Sequence, residues 1–223
     1  MKLFSALLDL LFPPKCPFCD KVQEHAGICA DCEKTLPWTE DSEALREGAG
    51  DLRCAAPLWY EDAARDGLLR FKFQGAPAAA GALGALIAQC AAEQFSGAFD
   101  TVTWVPVSRQ RLRQRGYDQA KLLAEAACRL WDTAPVQLLE KTADTPPQSG
   151  IHDAAARRAN VLGVYSIAPG ADVAGRRILL VDDICTTGAT LTECIRVLKD
   201  AGAADVVCVA AAFTREEKSR GSR

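Results

Sequence analysis

Ile178-Leu179-Leu180-Val181-Asp182-Asp183-Ile184-Cys185-Thr186-Thr187-Gly188-Ala189-Thr190 is the stretch whose reading decides the fold. Four successive aliphatic residues, Ile178 to Val181, predict a strand buried on both faces, as in a parallel sheet covered by helices. Asp182 and Asp183 stand at its carboxyl end, where open α/β sheets place their ligands. The turn from Thr186 to Thr190 opens a helix over 189–201, with Leu191, Cys194, Ile195 and Leu198 as an apolar stripe. Backbone N–H groups at such a helix start, aided by threonine hydroxyls and the positive end of the helix dipole, suit a phosphate dianion. Gly188 lets the backbone approach it closely. The two carboxylates can accept hydrogen bonds from the vicinal hydroxyls of a ribose. Paired acids at a strand end also occur in metal-dependent phosphatases and response-regulator receivers; the Thr-Thr-Gly-x-Thr that follows points instead to a ribose 5-phosphate. The candidate site is therefore Asp182, Asp183, Ile184, Cys185, Thr186, Thr187, Gly188, Ala189 and Thr190.

Strands and helices alternate on either side of this segment. Ala55–Tyr60 reads as a strand, Gly67–Phe73 and Ala78–Phe95 as helices, Thr101–Val107 as a strand and Tyr117–Trp131 as a helix. Short strands at 136–139 and 162–167, a helix at 152–160 and a last strand at 206–212 complete the pattern. Such alternation implies βαβ units, a parallel sheet and an α/β fold.

Upstream, Val105-Pro106-Val107-Ser108-Arg109 turns from a strand end into a loop carrying Arg111, Arg113 and Arg115. Guanidinium forks match phosphate oxygens, so Ser108 and Arg109 are candidates for holding a pyrophosphate. The same arginines are compatible with a solvated loop or with a basic patch for a nucleic-acid backbone.

Cys16-Pro17-Phe18-Cys19 and Cys29-Ala30-Asp31-Cys32 are two C-x-x-C knuckles nine residues apart. Together Cys16, Cys19, Cys29 and Cys32 complete a tetrahedral thiolate site. A redox dithiol needs only one pair and an iron–sulfur cluster is the other rival; a small polar segment that needs metal to fold points to structural Zn²⁺. His25 lies between the knuckles and reads as a surface residue. The polar stretch from Thr39 to Gly50 reads as a connector. The domain division expected is a module over 1–50, an α/β domain over 51–214 and a disordered charged tail over 215–223.

Apolar residues make up 49% of the 223, enough for a real core, and the net charge of −3 argues against a molecule drawn as a whole to nucleic acid. Anions must be held by local features. The apolar run from Leu3 to Phe12 is too short to span a bilayer and lacks a cleavage site, so it reads as a docked helix, without integral membrane association. The cytoplasm is the expected compartment. There Cys54, Cys90, Cys128, Cys185, Cys194 and Cys208 read as small buried hydrophobes.

The segment from Ile178 to Thr190 closely resembles the signature of the type I phosphoribosyltransferases. That resemblance implies a parallel sheet flanked by helices, 5-phosphoribosyl 1-diphosphate (PRPP) with Mg²⁺ as ligand, and a mobile loop over the site. Cys185 stands where a larger aliphatic residue is usual. With the knuckles, Phe71-Lys72-Phe73-Gln74-Gly75, Arg115-Gly116-Tyr117-Asp118-Gln119, Lys141-Thr142, Gln148, Arg157 and Asn160, the chain is similar to the ComF family of competence proteins. Tyr117 and Asp118 stand where Phe and Asn are common. The resemblance implies a link to single-stranded DNA uptake or processing and to competence-machinery proteins; some relatives are linked to carbohydrate utilisation. Two functions follow: a phosphoribosyltransferase, for which no general base stands out, or a non-catalytic PRPP-binding adaptor that meets single-stranded DNA or a helicase through the zinc module and arginines. A degenerate scaffold is the third option, and the intact acid pair argues against it.

Overall fold

The computed structural model describes residues 13–73, 77–142 and 162–215. A short helix α1 (Ala30–Thr35) is followed by β1 (Leu45–Gly48), β2 (Leu52–Ala55), β3 (Leu58–Trp59) and α2 (Asp62–Phe73). A 3-10 turn at Pro77–Ala79 leads into α3 (Ala80–Phe95), β4 (Thr101–Trp104), α4 (Arg109–Arg115), α5 (Gln119–Leu130) and β5 (Leu139–Lys141). Then come β6 (Tyr165–Ile167), β7 (Arg177–Cys185), α6 (Ala189–Asp200) and β8 (Asp205–Phe213).

The main sheet runs β1-β2-β8-β7-β4, and β3 also pairs with β8. β7 lies inside it, parallel to β4 on one side and to β8 on the other. A strand with two neighbours and helices over both faces must be apolar throughout, which is why Ile178 to Val181 are all fully buried. Alternation sends Leu179, Val181, Val207 and Val209 into one core with Leu83, Ile87 and Leu123 of α3 and α5. Ile178, Leu180 and Cys208 go to the other face, under Leu191, Cys194 and Leu198 of α6 and Tyr165 of the β5–β6 pair. The α/β architecture with parallel strands flanked by helices is as expected, and the six scattered cysteines are all buried and unpaired.

Several elements differ from expectation. The connector contains a strand, β1, antiparallel to β2 and forming the sheet edge. The arginine-rich loop is a helix, α4, begun by the Ser108 hydroxyl accepting from the Arg111 N–H at 3.4 Å and closed at Gly116. Residues 136–138 lie alongside β4 through Val136 N–H to Val102 C=O at 2.8 Å, but the strand itself is Leu139–Lys141. The expected helices at 3–12 and 152–160 lie outside the described residues. Of the tail, Arg215 is described: it pairs with Glu61 at 2.9 Å and lies over the Trp59 ring. No helix among the described residues is long and apolar enough to cross a membrane.

Candidate functional site

The carboxyl end of β7 brings the acid pair out of the core. Burial drops at Asp182, Asp183 and Ile184 after the fully buried aliphatics. The Asp183 N–H donates to Asp182 Oδ1 at 2.8 Å, which orients the first carboxylate against the strand. Asp182 keeps a partly exposed edge, yet protein packs around its carboxyl. That burial, and next the charge of Asp183, push it well above the usual carboxylate range. Asp183 turns the other way and pairs with Lys72 Nζ at 2.7 Å. Ile184 packs on the first core, and Cys185 is buried in the second, so Cys185 can offer a ligand only its backbone.

The turn that follows is shaped by glycine. Gly188 is the N-cap of α6 with φ +75, a left-handed conformation, and no side chain caps the helix. A Cβ there would also press on Leu52 Cδ2 of β2. The turn thus presents a backbone corner at a helix start, where the Ala189 N–H donates to the Thr187 hydroxyl at 3.5 Å; a helix start of this kind can accept a phosphate. It is held from β1: Arg46 donates to the Thr186 carbonyl at 2.8 Å and to the Thr214 carbonyl at 2.9 Å, and its guanidinium lies over Phe213.

The neighbouring strand supplies the second part. Val105 N–H continues the β4 ladder onto the Val181 carbonyl at 2.9 Å. Asp118 then ties the following turn to α5: Oδ2 accepts from Val107 N–H at 3.0 Å and Oδ1 caps the helix through Lys121 N–H at 3.2 Å. Burial raises its pKa against the pull of these two N–H groups, and the charge of Asp183 adds to the rise. Because 109–115 is helical, alternate arginines do not share a face. Arg109 and Arg113 point to solvent, while Arg111 and Arg115 are half-buried. Arg115 stacks over the Phe73 ring and donates to Gln119 Oε1 at 3.0 Å.

The expected residues therefore fall into two neighbouring groups. Residues 182–190 form the acid pair and turn above β7. Ser108 and Arg109 instead line a cavity of about 800 Å³ beyond β4, with Trp104, Asp118, Glu140 and Lys141. Asp118 is common to both, since it lines the cavity and feels the charge of Asp183.

The four knuckle cysteines also converge. The Sγ atoms of Cys16, Cys19, Cys29 and Cys32 all lie within 4.8 Å of one another. Cys19 and Cys29 Sγ are 3.6 Å apart, close to the roughly 3.8 Å edge that a zinc–sulfur distance of about 2.3 Å gives a tetrahedron. Cys29 N–H points at Cys16 Sγ and Cys32 N–H at Cys29 Sγ, each at 3.5 Å, which suits sulfurs carrying negative charge. Four thiolates at this spacing fit a structural Zn²⁺, and His25 is exposed as expected.

Competence protein ComFC of Streptococcus pneumoniae (strain ATCC BAA-255 / R6) is 30% identical to this chain over 213 residues, covering 91% of this chain and 90% of that protein. This chain belongs to the ComFC family. Competence protein ComFC of Bacillus subtilis (strain 168) is 27% identical over 195 residues, 85% of this chain and 73% of that protein. The phosphoribosyl transferase domain model matches residues 118–222, and the double zinc ribbon domain model matches residues 7–44. Among solved structures, one titled as the allosteric regulatory enzyme of purine biosynthesis is 21% identical with a TM-score of 0.40, covering 65% of this chain and 30% of that one.

In this ComFC-family chain, three residues join the site without having been singled out from the sequence: Lys72, Arg46 and Asp118. Lys72 and Asp118 sit inside the quoted family motifs, which signalled the segments without giving a role. Arg46 carried no signal, because its partners are carbonyls 140 and 168 residues away along the chain.

Proposed function

We propose that the pocket at the end of β7 binds a 5-phosphorylated ribose, in full PRPP with Mg²⁺, and that its reaction class is pentosyl transfer. The observation that supports this most directly is the acid pair on an interior parallel strand, leading straight into a glycine-capped helix start. In this reading the turn from Thr186 to Thr190 takes the 5-phosphate, and Asp182 and Asp183 accept the ribose diol. Ser108 and Arg109 take the diphosphate from the start of α4, beyond β4. Mg²⁺ is a hard cation that takes carboxylate and phosphate oxygens, so the donor set fits it; when bound it neutralises diphosphate charge.

In the transfer, the anomeric C–O bond breaks and its electron pair leaves with diphosphate. A nucleobase or amine nitrogen forms the new bond and releases a proton. The chain's own contribution is positioning and charge stabilisation. We further propose that residues 1–50 serve as the zinc-bearing unit, 51–214 as the phosphoribosyl unit and 215–223 as a tail. The names of the relatives, competence protein ComFC, support a role beside the competence machinery.

Calorimetric titration of Mg²⁺–PRPP tests the pocket. Wild type is expected to bind, and Asp182→Asn/Asp183→Asn to lose about tenfold or more in affinity, as removal of charged acceptors predicts. Equal binding by both proteins would sink the assignment. A second reading, an adaptor that binds single-stranded DNA, draws on Arg109 and Arg113 standing exposed on α4. It requires DNA retardation that weakens steeply with salt and is lost in Arg109→Ala/Arg113→Ala.

A further inference from the structure

Lys72 comes from α2, outside the residues matched by the phosphoribosyl transferase model, yet its ammonium sits on Asp183. Both partners are mostly enclosed, with side chains 25% and 15% exposed, so this is not a loose surface pair. The helix end that carries Lys72 is tied down on two sides. Toward the site, the Tyr117 hydroxyl donates to the Phe71 carbonyl and Gln119 Nε2 donates to the Lys72 carbonyl at 3.3 Å. The next residue, Phe73, lies under the Arg115 guanidinium. Toward the zinc module, Arg70 donates to the Phe18 carbonyl at 2.6 Å. Gly67 is pressed so closely on Pro17 and Phe18 that a Cβ would come within 2.7 Å of the Pro17 carbonyl oxygen. A lysine delivered by a helix anchored this way is placed, not incidental.

We propose that Lys72 is a ligand-binding residue of the pocket whose ammonium takes the anomeric diphosphate next to the hydroxyl held by Asp183. This rests on the sugar-phosphate reading given above. An ammonium has three donors and Asp183 uses one, leaving others to turn toward a ligand. In the α anomer of a ribofuranosyl diphosphate, the 1-oxygen and the 2-hydroxyl lie on adjacent carbons and on the same ring face. A cation bonded to the acceptor of that diol therefore stands beside the oxygen that bears the diphosphate. As the anomeric C–O bond breaks, charge gathers on the departing group, where a compact point charge stabilises it.

Ribose 5-phosphate and PRPP separate this role from mere support of Asp183, because only PRPP carries the diphosphate. Each is titrated calorimetrically into wild type, Lys72→Gln and Lys72→Arg. The expected result is a loss of about tenfold or more for PRPP in Lys72→Gln, with less than about threefold for ribose 5-phosphate and partial recovery of PRPP affinity in Lys72→Arg. An equal loss for both ligands would make Lys72 a prop for the carboxylate, and a gain for both would make the pair a block; either overturns the proposal while leaving the pocket standing. Failure of wild type to bind either compound overturns the pocket and the proposal together.

Discussion

Asp182 shows how a carboxylate proposed to hold the ribose is kept at a cost to the fold. Its carboxyl is surrounded by protein and sits beside the charge of Asp183, so the folded chain holds the proton more tightly than the unfolded chain, where an aspartate titrates near about 3.9. The stability linked to this proton is fully present below about pH 4 and is lost as pH rises through the elevated value. Asp182→Asn removes the penalty while preserving shape. Its Tm is expected to exceed that of wild type at pH 8 by more than at pH 5, while affinity for Mg²⁺–PRPP falls. Thermal melts at the two pH values check this; a Tm lower than wild type at both would contradict it. The identity of the acid pair was legible because two carboxylates ending an aliphatic run are chemically conspicuous. The titration of Asp182 was not legible, since it depends on what surrounds the carboxyl. Gly188 was legible as a glycine in a turn built for close backbone approach; that Leu52 of β2 would press on a Cβ there was not legible, because Leu52 lies far away along the chain.

Short elements explain most of the differences between reading and structure. β1 spans Leu45-Arg46-Glu47-Gly48, with a single apolar residue, and becomes a strand only by pairing with β2. The arginines of 109–115 alternate as an extended segment would, but the local start and stop signals were Ser108 and Gly116, and those prevailed. α6 carries its own periodicity and was readable nearly end to end, whereas β7 runs from Arg177 to Cys185 and only its aliphatic part, Ile178 to Val181, was readable as a strand. What the β1 strand adds is support for the turn proposed to take the phosphate. Arg46 makes two charge-assisted bonds to backbone carbonyls, one of them on Thr186 inside the turn, and stacks on Phe213. Arg46→Ala is expected to destabilise the fold by roughly 1–3 kcal/mol, the range for losing hydrogen bonds to a charged group. It is also expected to weaken ribose 5-phosphate binding although Arg46 has no proposed contact with the ligand. Urea unfolding gives the first quantity and calorimetry the second; unchanged affinity would show that the turn keeps its shape without the arginine.

At the scale of the whole molecule, the zinc module shares a core with the sheet. Cys16, Phe18, Cys29, Cys32 and Leu36 belong to the same apolar cluster as Leu68 and Phe71 of α2 and Val181 of β7. The knuckle spacing revealed the metal site, but nothing in it revealed that Phe18 would seat against α2, because that contact joins segments some fifty residues apart. The consequence is that the metal site and the proposed ligand pocket are coupled through one helix, α2. A Cys₄ zinc site contributes folding free energy directly, so its loss frees the knuckle backbone that Arg70 and Gly67 pack against. Removal of Zn²⁺ with a strong chelator is expected to cost about 3 kcal/mol or more, and therefore to lower Tm by roughly 6–12 °C for a chain of this size. Because α2 also carries Lys72, chelation is expected to weaken PRPP binding more than ribose 5-phosphate binding at a temperature where far-UV circular dichroism still reports a folded sheet. Metal content by elemental analysis, melting and the paired titrations are measured on one sample before and after chelation. Unchanged PRPP affinity in a zinc-free, still folded protein would mean that the helix keeps its place by its contacts to Tyr117 and Gln119 alone.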